Sequence, residues 1–134
     1  MSNKRGQWVH TPPKPTVSPA FKQHVQKQAN EFVETILKPE FVKSGPLEDE
    51  WKYLSDITAK WHGSFFYFCS IYTCTGPNAL APGFESKFAR LEYKGEDKFS
   101  IAFFRHTGQW WELGSGLSLE DCFSMITDDS FLQP

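Results

Sequence analysis

Long hydrophobic runs are missing from this sequence. The longest uninterrupted apolar segment is 65–69, Phe-Phe-Tyr-Phe-Cys, far short of the roughly 20 residues that a membrane-spanning helix needs. A secretory signal needs a continuous apolar segment near the N-terminus, and that region is interrupted by Pro12, Pro13, Pro15 and Pro19. We therefore expect neither a membrane partner nor export.

Cysteine is scarce, and the three cysteines are Cys69, Cys74 and Cys122. Their odd number and the lack of Cys-x-x-Cys spacing suit a reducing compartment better than a disulfide framework, so we expect a cytoplasmic location. The four histidines are scattered and form no zinc-type pattern with the cysteines. We therefore expect no metal site and no cofactor.

Motifs for nucleotide binding and for nucleophilic catalysis are also missing. No Walker or dinucleotide-type glycine motif is present, and the serines lack the context of a nucleophile elbow. Cys69 could pair with His62 or His106 as a thiolate and a base, but Cys69 lies in an apolar segment typical of a buried strand. We therefore assign no catalytic residue, and the sequence favours a protein without enzymatic activity.

Aromatic residues, by contrast, are abundant, since 13 Phe, 5 Trp and 4 Tyr make up 16% of the 134 residues. A chain of this length suits one compact domain that buries roughly two-thirds of its unfolded surface. Ser18-Pro19 is a typical helix start, and apolar residues follow it at spacings of three and four. The pattern predicts a helix that Pro39 ends, because the residue before a proline disfavours helical backbone.

From Ile57 onwards, β-branched and aromatic residues predict strands separated by short turns. The expected strands cover 57–61, 65–75, 88–93, 99–103 and 110–113, with a loop over 76–83. Short turns require antiparallel neighbours. Residues 39–56 are interpreted as a loop and a short helical turn with Leu47, Trp51 and Leu54. Ser118 is the expected cap of a C-terminal helix. The predicted fold is α+β, with an N-terminal amphipathic helix, about five antiparallel strands in a meander, and a short C-terminal helix.

The first 17 residues differ from the rest in composition. They contain the basic residues Lys4, Arg5 and Lys14, three prolines, several polar side chains and no acidic residue. We interpret residues 1–17 as a flexible basic Pro-rich tail and residues 18–134 as a single α+β domain. Residues 31–134 carry a net charge of -7, which disfavours phosphate binding by the body of the protein.

Three motifs resemble those of a known family. They are the alternating segment 88–93, the segment 99–105, and the turn Gly108-Gln109-Trp110. They are similar to the strand pair and Gly-x-Trp turn of a bacterial family catalogued as domain of unknown function 3024. The layout is similar over about residues 18–131, including a C-terminal stretch at 128–131, whereas the Pro-rich leader and the loop 76–83 depart from it. The resemblance implies this α+β fold, and it implies no catalytic residue.

Rings occur at both even and odd positions of 65–75, so aromatic side chains are expected on both faces of the sheet. The helices would cover one face. The other face needs a cover, which the loop 76–83, a second subunit or a ligand would supply.

Three functional hypotheses follow. The first is a small cytoplasmic binding module that uses its aromatic sheet to hold an unknown protein partner or a second copy of itself, as a homodimer would. The second is a small-molecule or enzymatic pocket near His62, His106 and Trp110. The third is binding of single-stranded nucleic acid. The cations for it are Lys87, Arg90, Lys98 and Arg105. The candidate ligand or interface residues are His62, Tyr67, Tyr72, Arg90, Arg105, His106 and Trp110.

Overall fold

The computed structural model describes residues 16–42, 52–75, 82–105 and 107–134. The five strands found there form one sheet in the order β1-β2-β3-β4-β5, and every neighbouring pair is antiparallel. Their bounds are Lys52–His62 for β1, Phe65–Cys74 for β2, Gly83–Gly95 for β3, Lys98–Phe104 for β4 and Trp110–Leu117 for β5. A helical segment precedes the sheet and a short helix follows it. The predicted α+β fold is confirmed.

Some predicted features lie outside the described residues. They are residues 1–15 of the basic tail, Leu47 and Trp51 of the helical turn, residues 76–81 of the loop, and His106.

Both main helices begin at the serines that the sequence indicates. Helix α1, Pro19–Phe32, is capped by Ser18, whose Oγ accepts a hydrogen bond from the Phe21 N–H. Helix α3, Leu119–Asp128, begins with a capping box. There Ser118 Oγ accepts from the Asp121 N–H, and the Asp121 carboxylate accepts from the Ser118 N–H. Each cap satisfies amide groups that have no partner within the helix.

The prediction that Pro39 ends the first helix is wrong. Helical backbone continues through a π-helical turn, Val33–Leu37, into a short helix α2, Lys38–Phe41. In the π-helical turn the Lys38 N–H bonds to the carbonyl five residues earlier rather than four. Pro39 therefore stands in the first turn of a new hydrogen-bonding segment, where its missing N–H removes no bond.

The hydrophobic core lies between these helices and one face of the sheet. Phe32 of α1 stacks on Phe123 of α3 at a centroid distance of 4.4 Å, and both rings meet Phe68 of β2 edge-on. Phe66 and Leu91 lie in the same cluster with no exposed surface. Burial of apolar surface of this kind is the main favourable contribution to folding.

Strand β1 begins five residues before the predicted strand, so the expected helical turn at Leu54 is wrong. Leu54 and Ile57 are both buried in the core although they are three residues apart. A β-bulge between Leu54 and Asp56 inserts Ser55 and places both side chains on the same face. A spacing of three is also the spacing of a helix, which is why the sequence pattern indicated one.

Strands β3 and β5 are longer than the patterns at 88–93 and 110–113 predict. Strand β3 begins at Gly83 because residues 83–87 pair with the second half of β2. Strand β5 continues through Gly114 and Gly116 to Leu117, which lies opposite Phe99. Glycines weaken the sequence signal for a strand, but pairing with a neighbouring strand satisfies their backbone groups.

Candidate functional site

The sheet face opposite the helices carries a compact group of rings and cations, which we call the open-face cluster. Its members are Phe65, Tyr67, Lys87, Arg90, Phe104 and Trp110. Its four rings form a continuous series of contacts. The centroid distances are 6.1 Å from Phe65 to Tyr67, 5.9 Å from Tyr67 to Trp110, and 5.1 Å from Trp110 to Phe104.

Alternation along β2 explains how one strand supplies rings to both faces. Phe66 and Phe68 point into the core and have no exposed surface. Phe65 and Tyr67 are half-buried and point to the other face, because successive side chains of a strand alternate. The predicted aromatic character of both sheet faces is therefore present in the described part of the chain.

The rings of the open-face cluster converge across the sheet. Tyr67 and Trp110 belong to β2 and β5, which are separated by two strands and hence by about 14 Å at ordinary strand spacing. Their ring centroids nevertheless lie 5.9 Å apart. On the same face, Ala102 of β4 lies opposite Arg90, which in turn lies opposite Tyr67, and Ala102 is only 4% exposed. The small side chain of Ala102 leaves room for the Tyr67 and Trp110 rings to meet above it.

Two cations are interleaved with these rings. The Arg90 guanidinium carbon lies 4.6 Å from the Phe65 centroid and 4.7 Å from the Trp110 centroid. Lys87 Nζ lies 5.5 Å from the Tyr67 centroid. Among the described residues neither cation forms a salt bridge. Both are therefore held by ring faces, with hydrogen-bond donors left for an anion.

A second β-bulge places Lys87 on the same face as Arg90. Strand β3 has an extra residue opposite β2, because Phe68 pairs with Ala89 whereas its neighbour Cys69 pairs with Lys87. Phe88 and Ala89 both lie in the core cluster as a result. Without this bulge, alternation would place residues 87 and 90 on opposite faces.

A groove of about 350 Å³ opens beside the open-face cluster. It lies where β4 ends and the first half of β3 continues without β4 alongside it. Its lining residues are Glu85, Ser86, Lys87, Phe104 and Trp110. Phe104 is 47% exposed, which leaves much of its ring open to a ligand.

The structure brings together three of the seven candidate residues, Tyr67, Arg90 and Trp110. Tyr72 lies apart, where its ring stacks on Phe84 at 5.1 Å. Arg105 lies over Trp111 at 4.1 Å, in a groove on the helix-covered side with Phe131.

His62 is exposed at the end of β1, opposite Phe65, and does not line the groove beside Trp110. Of the expected basic strip, only Lys87 and Arg90 come together. Lys98 lines a different groove with His24 and Glu120.

Two members of the open-face cluster, Phe65 and Phe104, are missing from the sequence predictions. Phe65 was available from alternation, because it lies two residues before Tyr67 on the same strand. Lys87 was named only among the cations for nucleic-acid binding, and its place on the same face as Arg90 depends on the bulge in β3, which strict alternation does not anticipate. No pattern in the sequence indicated Phe104, because its place in the cluster depends on its pairing with Trp110 between β4 and β5.

The described residues offer little for catalysis. The Cys69 thiol is fully buried, and this burial is the main reason that its pKa is raised, with Glu85 contributing. A thiol of this kind remains protonated at neutral pH and is a poor nucleophile. No group of three or more His, Cys, Asp or Glu side chains in the described ranges is arranged to hold a metal ion.

None of the helices in the part of the chain that the structure describes is long and apolar enough to cross a membrane. Comparison with curated proteins and with solved structures finds no match. A family model does match, and the resemblance noted in the strand motifs extends through the fold. The matching model is the one described as Domain of unknown function (DUF3024), it covers residues 17–133, and the chain therefore belongs to that family.

Proposed function

We propose that this chain is a non-enzymatic binding module that holds an anionic partner on the open-face cluster. The observation that carries the proposal is the position of Arg90. Its guanidinium lies against two rings, and none of the described carboxylates pairs with it. A guanidinium packed on a ring face is oriented in advance, and its N–H edge can bind a carboxylate or a phosphate through two parallel hydrogen bonds.

The composition of the cluster supports a binding role. Trp, Tyr and Arg are the residue types that most often dominate the energy of an interface. Here the Trp110 ring contacts both the Tyr67 ring and the Arg90 guanidinium on one sheet face. Truncating such a residue commonly costs about 2 kcal/mol or more of binding free energy.

We favour a different, anionic molecule over a second copy of this chain, because none of the described carboxylates pairs with Arg90 and its N–H edge suits an anion. A small anionic ligand is the second candidate, since the groove of about 350 Å³ beside Trp110 falls within the usual size range of ligand sites.

We place this activity in the cytoplasm. Cys69, Cys74 and Cys122 are all free thiols in the structure, with Cys69 and Cys122 buried, and unpaired cysteines of this kind suit a reducing compartment.

The test is a nuclear magnetic resonance titration of the full ¹⁵N-labelled chain with two polyanions, a twelve-residue oligothymidylate and a twelve-residue polyglutamate peptide. At least one is expected to shift the Trp110 indole signal and the amide signals of residues 87–90. Arg90→Ala should weaken that binding about tenfold or more, since hydrogen bonds to a charged group contribute about 1.5–3 kcal/mol.

Arg105→Ala is the matched control, because it removes a cation that also lies over a tryptophan but on the other side of the sheet. Binding to this variant should equal binding to the parent chain. If neither polyanion shifts the cluster, or if Arg90→Ala binds as well as the parent chain, the proposed function is wrong.

A further inference from the structure

We infer that the anionic partner is a single-stranded nucleic acid, whose bases stack on the rings of the open-face cluster while its phosphates meet Lys87 and Arg90. This inference rests on the proposed function and names the partner class for the same site. Single-strand binders combine stacking rings with cations that follow the backbone. The structure shows both on a sheet face where the described rings contact one another rather than a helix.

The row of rings favours nucleic acid over an acidic peptide. Tyr67, Trp110 and Phe104 follow one another at centroid distances of 5.9 and 5.1 Å, and the exposed part of Phe104 extends the row to the edge of the groove. A polynucleotide carries a flat ring and an anion in each repeat. An acidic peptide supplies the anions only, so the exposed part of the Phe104 ring would gain no stacking partner.

The position of the cations favours a single strand over a duplex. Lys87 and Arg90 lie among the rings rather than along a separate ridge, at 5.5 and 4.7 Å from the Tyr67 and Trp110 centroids. A ligand that contacts rings and cations together must expose its bases next to its phosphates. In a duplex the bases are stacked on each other, and their faces are not accessible.

Acidic residues also lie near the open-face cluster, and two of them are paired with lysines. Glu85 is paired with Lys60 at 2.9 Å, and Glu92 with Lys94 at 3.1 Å. Glu112, opposite Ala102, is a further acid in the same row. Interactions between exposed charges are screened beyond about 8 Å at physiological salt. Lys87 and Arg90 lie within 5.5 Å of the ring centroids and are therefore the cations that a ligand on these rings would meet, although residues 31–134 carry a net charge of -7.

The experiment compares three unlabelled probes of similar charge on the full chain. They are oligothymidylate of twelve residues, an abasic oligonucleotide of the same length, and the twelve-residue polyglutamate peptide, each titrated while the Trp110 indole signal is followed. Oligothymidylate is expected to bind at least about fivefold more tightly than either other probe, because base–ring stacking contributes that much or more per base.

Neighbouring tryptophans on opposite faces of β5 provide the matched variants. Trp110→Leu should weaken binding of oligothymidylate about fivefold or more, measured by calorimetry, and should weaken binding of the abasic probe less, because only oligothymidylate loses base stacking. Trp111→Leu removes a ring that is 51% exposed on the other face and should bind like the parent chain. Thermal unfolding of both variants establishes that they are folded.

Salt dependence measures the role of the two cations. If Lys87 and Arg90 each neutralise one phosphate, the logarithm of the binding constant falls with the logarithm of salt concentration with a slope of about -1.4. The double variant Lys87→Ala, Arg90→Ala should lose most of this slope. Unchanged binding by the double variant would place the oligonucleotide elsewhere on the chain and would overturn the inference.

The remaining outcomes separate the inference from the proposed function. If polyglutamate binds as tightly as oligothymidylate and depends on Arg90 in the same way, the partner is an acidic protein segment, so the inference fails while the proposed function stands. If the abasic probe binds as tightly as oligothymidylate, the rings do not stack on bases, and the inference also fails. If none of the three probes binds the cluster, both fail.

Discussion

Replacing Phe68 with alanine should separate the structural role of one sheet face from the binding role of the other. Phe68 has no exposed surface and stands at the centre of the aromatic core. Its ring meets Phe32, Phe66, Phe88 and Phe123 at centroid distances of 6.2, 5.5, 6.2 and 6.3 Å. Alanine at this position would leave a cavity that rings on all sides cannot readily fill.

The expected loss in the free energy of unfolding is about 3–5 kcal/mol, the range for a buried phenylalanine truncated to alanine. Of this, about 1.5–3 kcal/mol reflects the buried apolar surface of the side chain, and the rest reflects the cavity and the lost ring contacts. Tyr67→Ala is the matched control, one residue away and on the other face. Tyr67 is half-buried, so Tyr67→Ala should lower the free energy of unfolding by only about 1 kcal/mol.

Urea denaturation, followed by circular dichroism, measures both variants against the parent chain. A small domain typically unfolds in one transition, which gives the free energy from the midpoint and the slope. Phe68→Ala should also leave the affinity of the folded protein for a ligand on the open face nearly unchanged, whereas Tyr67→Ala should lower it. Equal destabilisation by the two variants would refute the division of the rings into a core face and an open face.

Three further predictions concern the helix ends, the charged pair and the cysteines. Ser118→Ala should lower the free energy of unfolding in urea by about 1 kcal/mol, because the α3 capping box is lost, whereas Ser118→Thr should retain most of it. Burial raises the pKa of Asp56, but the hydrogen bonds from Lys38 Nζ, 2.9 Å away, and from the next backbone N–H outweigh burial and hold the pKa below its usual value. A group whose pKa is lower in the folded state stabilises the fold at pH values above its unfolded-state pKa. This stabilisation is lost as the pH falls through the folded-state pKa. Asp56→Asn should therefore be less stable than the parent chain at pH 7 by under about 1 kcal/mol, and urea titrations should show this difference disappearing below about pH 4. Burial raises the pKa of Cys122 to about 12. Brief treatment of the folded chain with iodoacetamide at pH 8 should therefore modify the half-buried Cys74 and leave Cys122 unmodified. In urea, mass spectrometry should find both cysteines modified.

The order of helices and strands was predictable because it depends on local signals. Ser18 and Ser118 cap helices through their own side chains, and the turn at Gly63 has the left-handed backbone, φ 63°, that glycine adopts without strain. These features involve residues within a few positions of one another. They are therefore visible in a single sequence.

The first and last residues of the helices and strands were less predictable, because hydrogen bonds between residues that are distant in sequence determine them. Residues 83–87 are a strand only because β2 pairs with them, and Pro39 is helical only because a π-helical turn precedes it. The same applies to the site. Arg90 and Trp110 are twenty positions apart, and their contact depends on the register of β3, β4 and β5. No local pattern contains that register.

The distribution of the aromatic residues itself argues for a partner on the open face. Rings on the core face are explained by burial, as the fully enclosed Phe66 and Phe68 show. Rings on the other face are explained by burial only in part, because they cover Ala102, yet Phe104 is 47% exposed where a solvent-facing sheet surface is ordinarily polar. Phe104 and Trp110 occupy the side of β4 and β5 that the described helices leave uncovered. The exposed part of Phe104, beside an arginine that pairs with none of the described carboxylates, therefore favours a ligand that stacks and carries negative charge.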